Sequence, residues 1–257
     1  MSIILQGFLG SLGAGLMTAV GAVPVLFGRS MSRQTMDIML GFAAGVMLAA
    51  TFFSLLGPSV EFAGERFGHG VIPAAVAVVG VLLGAGTVMF FDNRLPHEHF
   101  IVGREGPEAA ELRRIWLFVF AITLHNAPEG MAVGVGFGGG DVAAGLQIAL
   151  GIGVQNAPEG LAVAVALISK NYSRSYAFLI AALTGLVEPV AGLIAAVAVS
   201  LSAALLPWAM AFAAGAMLYV ISHEIIPETH RYGHQRRATQ GLLAGFVLMM
   251  ALDVALG

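Results

Sequence analysis

The sequence contains no cysteine. Disulfide staples and thiolate metal ligands are both excluded by that absence. Charge is scarce as well: Lys, Arg, Asp and Glu make up 11% of the 257 residues, where a soluble globular domain carries about 25%. With 58% hydrophobic residues and a mean hydropathy of +0.88, the composition is not that of a soluble domain. The net charge of −3 comes without a basic run, so no nucleic-acid partner is expected. The two-residue alternation of an outer-membrane barrel is missing, which leaves helices. The opening "MSIILQGFLG" has no basic n-region and no cleavage pattern, and reads as a retained helix instead of a signal peptide.

What is present is a series of apolar stretches of about 20 residues, the length that crosses a bilayer as a helix. Eight are expected, at about 4–27, 35–58, 70–91, 114–137, 142–168, 175–201, 205–229 and 236–256. The fold class is therefore all-α, a polytopic membrane protein with one transmembrane domain over residues 1–257. Residues 92–113, "DNRLPHEHF" through "GREGPEAAELRR", form its one long polar connection. Lys and Arg favour cytoplasmic loops. Eleven of the twelve basic residues (Arg29, Arg33, Arg94, Arg104, Arg113, Arg114, Lys170, Arg174, Arg231, Arg236, Arg237) fall on one side, with only Arg66 opposite. That places residues 92–113 in the cytoplasm and both termini outside it.

Two internal repeats stand out. "GFAAGVML" at 41–48 in the second helix returns as "AFAAGAML" at 211–218 in the seventh, and the topology runs those helices in opposite directions. Similar sequence in opposite orientation marks an inverted repeat, here helices 1–3 and 6–8 around a central 4–5 pair. The small-xxx-small spacings Gly41/Gly45 and Ala211/Gly215 suit close packing in lipid. The second repeat is "HNAPEG" at 125–130 and "QNAPEG" at 155–160. His125, Asn126 and Glu129 share one helix face by their three- and four-residue spacing, as do Gln155, Asn156 and Glu159. Both sets sit near mid-helix, and so does Glu188 in helix six, followed by Pro189.

Carboxylates in hydrocarbon cost roughly 2.5–3.5 kcal/mol each on insertion scales and mark functional sites. No Lys or Arg lies at this depth to answer them, so a bound cation is the natural partner. Pro128, Pro158 and Pro189 each leave a carbonyl without its helical donor, and Gly130 and Gly160 permit close helix approach. One imidazole with carboxylates and amide oxygens suits zinc, iron, manganese or cadmium, while all-oxygen sites are usual for calcium or magnesium. Toward the cytoplasm, helix seven ends "ISHEIIPETHRYGH", with His223, Glu224, Glu228 and His230; His97, Glu98 and His99 lie in the long loop. These suggest a staged path for metal moving inward.

The combination of "HNAPEG", "QNAPEG", "EP" at 188–189 and "SHEIIPETH" at 222–230 resembles the ZIP (Zrt/Irt-like) metal-ion transporters of bacterial type, over essentially all eight helices. The resemblance implies a two-metal centre: His125, Glu129, Gln155 and Glu159 at one position, and Asn126, Glu129, Asn156, Glu159 and Glu188 at the other. It also implies a homodimer in the cell inner membrane and import toward the cytoplasm. Access alternates as helices 1, 4, 5 and 6 move against 2, 3, 7 and 8. Ser54 and Glu61 would lie near the outer entrance, and Asp37 near the inner side. Bacterial relatives often carry an acid where this chain has Asn156, which puts the second ion in question. A metal-selective channel and a membrane-embedded metallohydrolase are the alternatives; no H-E-x-x-H occurs to favour the hydrolase.

Overall fold

The structure, a computed structural model, describes residues 2–28, 32–94, 119, 123, 126–168 and 172–256. His97, His99 and His125 lie outside the described residues, as does most of the expected 92–113 loop. All regular elements among the described residues are helical, and seven helices are long and apolar enough to span a membrane. The expected helix at 114–137 falls only partly within the description, as the helical residues 126–138.

Helix α1 (Ile3–Ala22) starts on the Ser2 side chain, which accepts from the Leu5 amide, and tightens into a 3-10 turn at Val23–Phe27. Gly28 ends it with φ 71°, a left-handed conformation that glycine adopts without steric cost. The second span is longer than expected. Helix α2 (Arg33–Ala49) passes through a π-helical turn (Ala50–Leu56) into α3 (Gly57–Phe67). Pro58 reads locally as a stop, but it falls in the first turn of α3, where its missing N–H is tolerated, and the wider turn before it carries the chain on.

Helix α4 covers Val71–Arg94, α5 residues 126–138, and α6 Val142–Ile168. The expected sixth helix divides at Leu186 into α7 (Arg174–Gly185) and α8 (Val187–Leu201). Pro189 sits in the first turn of α8, which explains the break. Helix α9 (Leu206–Val220) again enters a π-helical turn (Ile221–Ile225) before a proline, Pro227, in α10 (Ile226–His230); α11 (Gln235–Leu256) follows.

Two sets of helices emerge from the packing. Helix α1 lies along α6, α7 and α8, while α2 packs on α11 and α4 on α9. In the α2–α11 pair, the bare face of Gly45 receives the Leu242 carbonyl and that of Gly245 receives the carbonyl of Phe42. In the α9–α4 pair, Gly215 receives the Val81 carbonyl and Gly84 that of Phe212. A side chain at any of these positions would meet backbone, so the small-residue spacings are true helix contacts. Helix α6 is the inner element: 72% of its most apolar stretch is buried, against 22% for α4 and for α11.

Candidate metal centre

Five described residues of the two hexads, together with Glu188, converge from three helices. Asn126 and Glu129 come from α5, Gln155, Asn156 and Glu159 from α6, and Glu188 from the first turn of α8. All are buried, with Glu129, Gln155 and Glu188 at 0% exposure. The hexad glycines account for the closeness: Gly130 lies against the backbone of Glu188, and Gly160 against that of Thr18 on α1. Pro158 stands inside α6 without ending it.

Two of the three acids accept from amides. Gln155 donates through Nε2 to Glu129 Oε1. Asn156 donates through Nδ2 to Glu188 Oε1 at 2.7 Å and to the Ala14 carbonyl of α1 at 2.9 Å. A backbone carbonyl only accepts, so the chemistry fixes which way the Asn156 amide faces. Glu129 is close enough to feel both Glu159 and Glu188, and Glu188 to feel Glu159. Among the described residues, Gln155 Oε1, Asn156 Oδ1 and Glu188 Oε2 are buried without a hydrogen-bond partner. Such acceptors cost about 1–3 kcal/mol each when left unmet. They are oxygens a hard or borderline cation accepts as ligands. No group of three His, Asp or Glu side chains among the described residues forms a metal-ligand set by itself; the amide oxygens and His125, outside the description, belong to the expected set.

The residues expected on the inner path separate into two groups. Asp37 and Glu228 are brought together by Arg33, which donates to Glu228 and lies 3.6 Å from Asp37. Arg231 stands 3.6 Å from Glu228, and His234 Nδ1 is 2.7 Å from Asp37. The Arg33 guanidinium also covers the Tyr232 ring at 3.8 Å. His223 and Glu224 occupy the π-helical turn instead, with the His223 ring 5.0 Å from that of Tyr219. His230 turns its Nδ1 to the Ile226 carbonyl, 2.7 Å away, as a local helix-end contact. At the opposite end, Ser54 donates to Asp253 Oδ1 at 2.7 Å, and Gln147 donates to the same oxygen. Glu61 is exposed on α3. Gln147, Asp253 and Arg33 were not singled out from the sequence. Asp253 could have been, as the one acid within α11; Arg33 could have been, as a basic residue four before Asp37.

These features define a multi-pass membrane protein with a polar centre buried among its helices. The ZIP zinc transporter family model matches residues 102–253, more than half the chain. The zinc transporter GufA of Myxococcus xanthus is 48% identical, covering 98% of this chain and 99% of its own length. The zinc transporter ZIPB of Bordetella bronchiseptica is 49% identical over 93% of this chain and 78% of its own length. The human zinc transporter ZIP11 is 36% identical over 100% of this chain and 98% of its own. The chain belongs to the ZIP family, whose members are transporters and not enzymes.

Proposed function

We propose that the protein moves divalent transition-metal cations, zinc first and cadmium, iron or manganese as further cargo, across the cell inner membrane into the cytoplasm. The observation that carries this reading is the convergence at the centre: three carboxylates are buried together, and two of them accept hydrogen bonds from amides, which bring no positive charge. The names of the relatives point to the same cargo. His125, Glu129, Gln155 and Glu159 would hold one ion tightly. The Asn126, Asn156 and Glu188 side would hold a second weakly, because an amide at 156 offers no formal charge against two mutually repelling cations.

Access would alternate by movement of α1, α5, α6, α7 and α8 against α2, α3, α4, α9, α10 and α11. The inverted repeat is supported by the paired contacts: Gly45–Leu242 and Gly245–Phe42 have counterparts in Gly215–Val81 and Gly84–Phe212 at one constant spacing per helix. Both repeats also pass through a π-helical turn ahead of a proline. Arg33, Arg174, Arg231, Arg236 and Arg237 would mark the cytoplasmic end, with both termini outside, Ser54 and Glu61 near the entrance, and His223 and Glu224 nearer the exit. His230, Glu228 and Asp37 would line the inner end beside the loop histidines His97 and His99. A homodimer is the assembly we favour.

Zinc uptake into liposomes holding the purified protein tests the reading. Glu129→Ala or Glu159→Ala abolishes uptake while the protein remains folded and inserted; uptake at the unmodified rate in either variant overturns the site. Saturation with counterflow supports a carrier, whereas flux that rises without saturation supports a channel.

A further inference from the structure

Three of the proposed metal residues, Gln155, Asn156 and Glu159, ride on α6, which is also where the two helix sets meet. Gln147, Gly151 and Gln155 stand at four-residue intervals along it, one stripe of the helix. At Gly151 the missing side chain makes room for the Met249 thioether of α11, with Val46 of α2 behind it. One turn nearer the start of α6, the seam stops being apolar. Gln147 donates to the Asp253 carboxylate of α11, and Ser54, in the π-helical turn that follows α2, donates to the same oxygen. Gln147 is 4% exposed and Ser54 7%, so the contact is built into the packing. The other side-chain hydrogen bonds named above stay within one helix set; this one crosses between them.

We propose that Gln147, Asp253 and Ser54 form a fastening that docks α6 onto α2 and α11 at the extracytoplasmic end and parts once in each transport cycle. The proposal rests on the alternating-access reading given above. Two features suit a contact that must open and close. An amide on a carboxylate is a charge-assisted hydrogen bond, stronger than a neutral one, yet among the described residues no cation pairs with it. The groups bared by opening, an acid, an amide and a hydroxyl, are all well hydrated. Gln155 lies two turns further along α6, about 12 Å at 1.5 Å per residue, so release at this end is transmitted to the metal residues by the helix itself. Gln147, Asp253 and Ser54 are positioning residues: they act through α6 and do not touch the ion.

The test exchanges donor and acceptor. Gln147→Glu sets two carboxylates against each other, and is expected to slow zinc uptake by at least about tenfold, the scale of losing a hydrogen bond to a charged group. Zinc affinity, read by calorimetry in detergent, stays unchanged. Combining Gln147→Glu with Asp253→Asn restores a donor and an acceptor in reversed order, and is expected to bring uptake back to within about twofold. Gln147→Leu, which removes the donor without adding charge, gives a milder slowing if the acidic variant does not fold. Uptake at the unmodified rate in Gln147→Leu, or a double variant no faster than Gln147→Glu alone, overturns the fastening. If Glu129→Ala is inactive while Gln147→Leu is unaffected, only the fastening falls. If Glu129→Ala still carries zinc, the reading of the metal site falls instead.

Discussion

Asp37 and Glu228 at the Arg33 end, and Glu129, Glu159 and Glu188 at the centre, are buried acids answered in opposite ways. The first two meet Arg33, Arg231 and His234. Of the other three, Glu129 accepts from Gln155 and Glu188 from Asn156, and the described residues of α5, α6 and α8 contain no Lys or Arg. Where the protein supplies the countercharge, the acid holds helices together. Where amides stand beside the acid instead, the acid is, on the reading proposed above, a ligand for the cargo.

The comparison is broken most directly at the centre. Glu129→Ala should bring zinc uptake to background with the folded protein retained, the largest effect expected, whereas Glu228→Gln should leave uptake at a readily measured level. Equal losses in the two variants would erase the distinction. Arg33→Ala should do the converse: it leaves Glu228 and Asp37 with less compensation and lowers stability by about 2 kcal/mol, a value kept modest because Arg33 is partly solvated. A detergent melting curve should move down by roughly 4–8 °C, with little change in uptake per folded molecule. Should zinc affinity vanish in Arg33→Ala while the melting curve is unmoved, the end cluster would belong to the metal path.

Asn156→Asp sharpens the contrast by adding a charge where the protein has an amide. It removes the donor to Glu188 and Ala14, and should raise occupancy on the Asn126–Glu188 side in a calorimetric zinc titration. Two equally tight ions in the unmodified protein would show that the missing charge is made up elsewhere. The smallest effect is expected at the π-helical turn of α9: His223→Ala or Glu224→Ala should slow release a few-fold and leave central affinity intact. Rapid-mixing measurement of zinc release decides this, and a collapse of affinity at unchanged release would contradict it.

Much of the centre was readable in advance because its order is local. Asn126 and Glu129, or Gln155, Asn156 and Glu159, are placed on one face by helix periodicity alone, and the repeat announces that the two faces belong together. The glycine seams were readable for the same reason: Gly41 and Gly45 lie one turn apart. Contacts between distant segments gave no such signal. Ser54, Gln147 and Asp253 lie in three distant segments, and only packing shows that Ser54 and Gln147 meet one oxygen of Asp253. The second span runs on past the expected 58 because a π-helical turn, which local preference does not register, carries the chain into α3. Asp37 and Glu228 are expected along the inner path from their positions in the chain; that Arg33 ties them to each other does not show in the sequence, because the pairing joins α2 to α10.

The difference in burial between α6 and the outer helices also bears on the lipid. Helices α4 and α11, the least buried spans, have 24 and 22 residues, while α6, the most buried, has 27. At 1.5 Å per residue α4 extends about 36 Å, α11 about 33 Å and α6 about 40 Å. A typical hydrocarbon core is about 30 Å thick. Of these three, the helix with the most length to spare is the one most covered by protein. A span enclosed by its neighbours can exceed the membrane's thickness without deforming the surrounding lipid.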